Sequence, residues 1–111
     1  MRSRCLAPPG AVEEFPFNPE TSVFKVEQKM FALSALASRP LKVSVKADPE
    51  IAADLRASYD AIVPGYHLNK RHWITVSCDG SVPDRLVDEL IEDSYDLVVA
   101  GLPAAARERL A

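Results

Sequence analysis

Little in this sequence is equipped for covalent or metal chemistry. Its two cysteines, Cys5 and Cys78, lie far apart and outside any CxxC or zinc-ligand spacing, so buried or idle thiols are expected. Histidine occurs only at His67 and His72, and without a third ligand at sensible spacing no metal site is expected. There is no P-loop, dinucleotide fingerprint, nucleophile elbow or HExxH, which leaves no catalytic residue, cofactor or enzymatic activity to assign. No apolar run approaches the roughly 18–20 residues that cross a bilayer. The cations at Arg2 and Arg4 meet Pro8-Pro9-Gly10 before a signal-peptide core can form. A cytoplasmic protein with no membrane partner is the expectation.

What is present suits one ordinary globular domain over residues 1–111, with 48% hydrophobic and 26% charged residues. The net charge of −3 is unlike that of most nucleic-acid-binding domains. It conceals a segregation, however. Residues 25–72 carry eight Lys/Arg against five acids, whereas residues 73–111 carry three Arg against eight acids. An anionic partner responds to the local potential, and that is positive in the middle of the chain.

In chain order, residues 2–7 allow a short helix that Pro8-Pro9-Gly10 ends. Glu13 to Phe17 reads as extended, with Pro16 suiting an edge or loop. Three alternating runs follow. Val23–Glu27 sets Phe24 and Val26 against Lys25; Met30–Leu36 has Phe31, Leu33 and Ala35 as its larger inward set; Leu41–Ala47 turns Leu41, Val43 and Val45 inward and Lys42, Ser44 and Lys46 outward. Asp48-Pro49-Glu50 is a helix start, and Ile51, Leu55 and Tyr59 form its expected buried stripe. Another strand, His72–Cys78, directs Ile74, Val76 and Cys78 one way and Trp73, Thr75 and Ser77 the other. Pro83 opens the longest helix, whose apolar face runs from Leu86 to Val98. Gly101 is its expected cap, and Leu102-Pro103 leads into a short last helix.

This order (helix, three strands, helix, one or two strands, helix) predicts an α+β two-layer sandwich: one antiparallel sheet with helices packed on one face. The other face would be open to solvent and carry Lys25, Lys42, Ser44, Lys46, Trp73 and Thr75.

The densest chemistry lies at His67-Leu68-Asn69-Lys70-Arg71-His72-Trp73, where both histidines, the only tryptophan and two adjacent cations fall within seven residues. Lys70 and Arg71 can hold phosphates, or form a solvated turn before a strand. Trp73 can stack on a base, or cover the sheet, packing for instance against Tyr66. The histidines suit a pH sensor or backbone-bonded turn residues. The acids of the long helix, Asp84, Asp88, Glu89, Glu92, Asp93 and Asp96, read as a solvated face.

Several ordered segments carry a resemblance over essentially the whole chain. They are Pro9-Gly10-Ala11-Val12-Glu13-Glu14 with Pro16-Phe17, Val23-Phe24-Lys25-Val26, Lys29-Met30-Phe31-Ala32, and Val43-Ser44-Val45-Lys46 with Asp48-Pro49-Glu50. Pro64 through Trp73 and Ser94-Tyr95-Asp96-Leu97-Val98 complete them. In these the sequence is similar to the MmcQ/YjbR family of small bacterial proteins. The resemblance implies a two-layer α+β fold like that of secretion chaperones, and DNA binding through hairpin loops acting as a double wing. Lys25, Lys29, Lys46, His67, Asn69, Lys70, Arg71, His72 and Trp73 match the family pattern. Lys42, from the alternation above, joins them as a further source of charge. Two departures stand out: Glu27-Gln28 replaces a usually glycine-rich turn, so a wider or bulged loop is expected there, and the opening helix is short. DNA, contacted with little sequence preference, is the expected partner. The competing expectation is a protein-interaction module whose open face holds a partner chain or a second copy of itself.

Overall fold

The computed structural model describes residues 1–65 and 68–110. Its elements are α1 (Arg2–Leu6), β1 (Ala11–Glu14), β2 (Thr21–Val26), β3 (Lys29–Ala35), β4 (Lys42–Lys46), α2 (Pro49–Ser58), β5 (Ile62–Pro64), β6 (Trp73–Ser77), α3 (Asp84–Ala100) and α4 (Ala104–Leu110). Among the described residues the strands form one sheet in the order β1-β2-β3-β4-β6-β5, with every neighbouring pair antiparallel. The α+β two-layer sandwich is therefore what the chain adopts. The extended stretch near Glu13 is a full edge strand, giving four strands before α2 instead of three.

α3 crosses β2, β3 and β4, α1 packs on α3 and β1, and α2 lies over β5. Between these helices and the sheet lies one core, in which Phe24, Val26, Phe31, Val43, Val45, Ile74 and Val76 meet Ala52, Leu90, Ile91 and Val98. Phe31 and Tyr95 pack edge to face at 5.4 Å, and the Tyr95 hydroxyl donates to the Pro9 carbonyl at 2.5 Å, tying the entry to β1 onto α3. Cys5 is fully buried, and burial pushes its thiol up to about 12; Cys78, half-buried, is raised for the same reason. Neither has a disulfide partner.

β3 departs from simple alternation. Phe24 pairs with Ala32 but Lys25 pairs with Met30, leaving Phe31 as an extra residue in a β-bulge. Phe31 and Ala32 both enter the core, and the alternation beyond them is inverted. Leu33 and Ala35, expected inward, consequently line the open face, while Ser34 is buried and donates to the Lys42 carbonyl at 2.8 Å. α2 starts as expected, with Asp48 accepting from the Glu50 amide at 3.0 Å. Its buried face is Ala52, Leu55 and Tyr59, however, and Ile51 stays 55% exposed, because the face that meets the sheet is centred one residue later.

The β2–β3 turn also differs from expectation. Val26 pairs directly with Lys29, so the loop is only Glu27-Gln28, and both residues take positive φ (46° and 67°). A two-residue type I′ loop requires this of both positions, at a steric cost of roughly 1–2 kcal/mol for a residue with a Cβ. Arg109 of α4 reaches Glu27 at 2.6 Å and helps hold the turn. Gln28→Gly removes the clash, offset in part by greater freedom of the unfolded chain. The urea midpoint is expected to rise, by a gain of about 0.5–1 kcal/mol; an unchanged midpoint would mean that the strain relieved is no larger than the freedom added to the unfolded chain.

Candidate nucleic-acid interface

Strand register decides which cations meet. Lys46 pairs with Trp73 and Lys42 with Ser77, so these two lysines occupy opposite ends of β4, roughly 13 Å apart at strand rise. The Lys46 end of the sheet is also where β2 and β3 turn, at Glu27-Gln28 and Lys29, and where residues 68–72 lead into β6. Lys29, Lys46, Lys70, Arg71, His72 and Trp73 thus share one end. Lys42 stands apart from them, because the strand that carries it spans the full width of the sheet face.

The turn before β6 is built by its own side chains. Asn69 Oδ1 accepts from the amides of Arg71 (2.9 Å) and His72 (3.2 Å), and its carbonyl accepts from Trp73 N at 3.0 Å. Asn69 therefore shapes the loop, and that carboxamide oxygen is already engaged. Lys70 Nζ donates to the Gly65 carbonyl. Gly65 N donates to the Trp73 carbonyl at 2.8 Å, and the Ala47 amide to that of His72 at 2.8 Å, so both neighbouring strands grip the turn's exit. Arg71 and His72 are exposed, and Arg71 forms no ion pair among the described residues. Lys25, on β2, lies 3.0 Å from Glu14 of β1. His67 and Tyr66, and with Tyr66 its suggested packing on Trp73, fall outside the described residues.

The face opposite the helices is less open than alternation suggests. Its middle row runs Glu14, Val23, Leu33, Ser44, Thr75, Val63 by register. Val23, Ser44 and Thr75 are each at most 5% exposed. The Ser44 and Thr75 hydroxyls pair across β4 and β6 at 2.7 Å. Twist folds this face into a concavity of about 320 Å³ lined by Leu33, Ala35, Lys42, Val63, Pro64 and Ser77 around that hydroxyl pair.

Two residues that hold this end together carry no conspicuous signal in the sequence. Ser94 of α3, fully buried, donates to the Phe31 carbonyl (2.6 Å) and accepts from the Lys46 amide (2.8 Å). Its hydroxyl bridges β3 and β4 just past their last pair, Ala32–Val45, and fixes where Lys46 leaves the sheet. Gly65 is the second: a Cβ there would lie 2.7 Å from Trp73 Cβ and 3.1 Å from the Trp73 carbonyl carbon and oxygen. Among the described residues no group of three or more metal-ligating side chains assembles, and no helix is long and apolar enough to cross a membrane.

Known proteins resemble this chain in sequence or in fold. YjbR of Escherichia coli K12, an uncharacterised protein, is 38% identical over 106 residues, covering 96% of this chain and 90% of its own. YbdF of E. coli O157:H7, also uncharacterised, is 38% identical over 96 residues, 86% of this chain and 79% of that one. The crystal structure of Deinococcus radiodurans DR2400, a DUF419-domain protein, superposes with a TM-score of 0.93 at 46% identity, covering 98% of this chain and 83% of that one. A Pseudomonas syringae crystal structure matches with a TM-score of 0.68 at 30% identity, over 78% of this chain and 86% of the other. With the YjbR family matched over residues 6–97, the chain belongs to that family.

Proposed function

We propose that this protein is a non-enzymatic, cytoplasmic DNA-binding protein that grips phosphates with the cationic end of its sheet. The observation that carries the reading is the shared end itself: the Glu27-Gln28 hairpin with Lys29 on one side, residues 68–72 on the other, and Lys46 and Trp73 between them. Two loops flanking a cationic strand end can straddle a duplex backbone. Lys29, Lys46, Lys70 and Arg71 supply charge, His72 hydrogen bonding and Trp73 a stacking surface. Lys25 contributes once a phosphate competes with Glu14, and Lys42 acts only as a distant addition to the field. Among the described residues no helix is suited to reading bases. The longest, α3, carries six acids against one arginine and would be repelled by the backbone. Weak sequence preference follows.

Salt dependence tests this directly. Engaging three or four phosphates gives a slope of log affinity against log salt of about −3 on duplex DNA, and the pair Lys29→Ala with Arg71→Ala flattens it by about 2. Absence of binding to duplex and single strand at low salt overturns the proposal. The open-face concavity favours a second reading, in which that face seats a partner chain or a second copy. Concentration-dependent self-association, abolished by Val63→Asp and insensitive to Arg71→Ala, would transfer the function there.

A further inference from the structure

α3 uses one stripe for the core and leaves another partly bare. That second stripe starts at the buried Leu90 and continues through Asp93, Leu97 and Ala100, a three–four–three spacing that rises about 15 Å along the helix. It forms one wall of a groove of about 390 Å³ whose apolar lining is completed by Ala47 and by Ile51 at the start of α2. Ile51 and Leu97, two of the large hydrophobic side chains exposed to solvent at 55% and 39%, both face this groove. The spacing on α3 is that of a surface a further helix packs against.

The charges of the groove specify what kind of helix. Among the described residues Asp48, Asp93 and Asp96 line it, against the one cation Lys46. None of the three acids is ion-paired among the described residues. Burial and then the neighbouring charges of Asp96 and Glu89 hold the Asp93 carboxyl above its ordinary range, which is the mark of an acid lacking a counter-ion. Phosphate would be repelled here. The chain's own basic helix, α4, is committed elsewhere through Arg109 and Glu27.

We propose that the groove between the start of α2 and the second half of α3 docks a basic amphipathic helix of a partner protein. The partner's apolar stripe covers Ile51, Leu97 and Ala100, and a lysine or arginine one turn along meets Asp93 and Asp96. The surface lies on the helical side of the sheet and shares only Lys46, at its rim, with the DNA reading; a protein using both would tether its partner to DNA.

The probe is a fluorescein-labelled 14-residue peptide of leucine and lysine, with leucines at helical i, i+3, i+4, i+7 spacing. Its anisotropy is read against a scrambled peptide of identical composition. The patterned peptide is expected to bind the full chain and the scramble about tenfold more weakly, the worth of burying one apolar side chain. Leu97→Asp and Ile51→Asp, both at exposed positions that leave the fold intact by circular dichroism, each weaken binding by about tenfold. Asp93→Asn with Asp96→Asn lowers its salt dependence. Equal affinity for the scramble, no binding of either peptide, or affinity unchanged in both aspartate variants overturns the proposal. A dimer that Leu97→Asp dissociates would assign the groove to a second copy and overturn the partner assignment.

Discussion

Ser94→Ala is expected to lower stability by roughly 2–4 kcal/mol, a fall of roughly 10–20 °C in Tm. The side chain is small and the deleted atom single, so packing accounts for little of this. The loss is polar. Removing the hydroxyl strands the Phe31 carbonyl and the Lys46 amide, both bonded to Ser94 beneath α3 where the β-bulge has carried β3 out of step. Each buried backbone group left without a partner costs roughly 1–3 kcal/mol. The two strands cannot close on each other to repair it, because their ladder ends at Ala32–Val45. Urea denaturation of the two proteins checks this. A loss below about 1 kcal/mol would indicate that water enters and replaces the hydroxyl. Since Lys46 exits the sheet from this bond, the variant should also bind DNA less tightly than its folded fraction predicts.

Gly65→Ala carries the other large effect. Here the obstacle is steric: the new methyl meets Cβ and backbone of Trp73, neither of which can swing away as a side-chain tip would. β5 must separate from β6, loosening the hydrogen bond from Gly65 N to the Trp73 carbonyl and the Lys70 anchor on the Gly65 carbonyl. A cost of about 1–3 kcal/mol is expected. Trp73 is the sole tryptophan, so its emission reports the displacement without a label. A shifted emission maximum with unchanged far-ultraviolet circular dichroism is expected, together with weakened DNA binding. Identical emission and stability would show that the β5–β6 pair relaxes freely.

Much of this architecture is legible from local pattern. Asp48-Pro49-Glu50 specifies a helix start within three residues, and the structure keeps it there. The alternation in Leu41–Ala47 and His72–Cys78 places Lys46 and Trp73 on one face, and register makes them neighbours. What pattern misses depends on other parts of the chain. Leu33 and Ala35 change face because one bulge, set by pairing with β2, adds a residue ahead of them. Ile51 reads as core because it is large, whereas the position against the sheet has room for Ala52. Lys42 and Lys46 look like one patch in sequence, yet three residues of strand lie between them. Ser94 stands out in sequence only as a polar residue on an apolar stripe, because the groups it satisfies lie 48 and 63 residues away. Nor does composition suggest that Glu27-Gln28 takes a turn suited to Asn and Gly.

The strand order has a kinetic corollary. β1 through β4 are consecutive neighbours and can zip up hairpin by hairpin. β6 has to slide into a slot between β4 and β5, and that slot exists only once α2 has carried the chain across. The segment bearing Lys70 and Arg71 is therefore laid down late, next to a three-residue strand that has, among the described residues, no other partner in the sheet. Amides of β5 and of the approach to β6 should exchange with solvent well before those of β2 and β3. A ligand clasping that end would slow their exchange and act as the latch on the sheet's last joint.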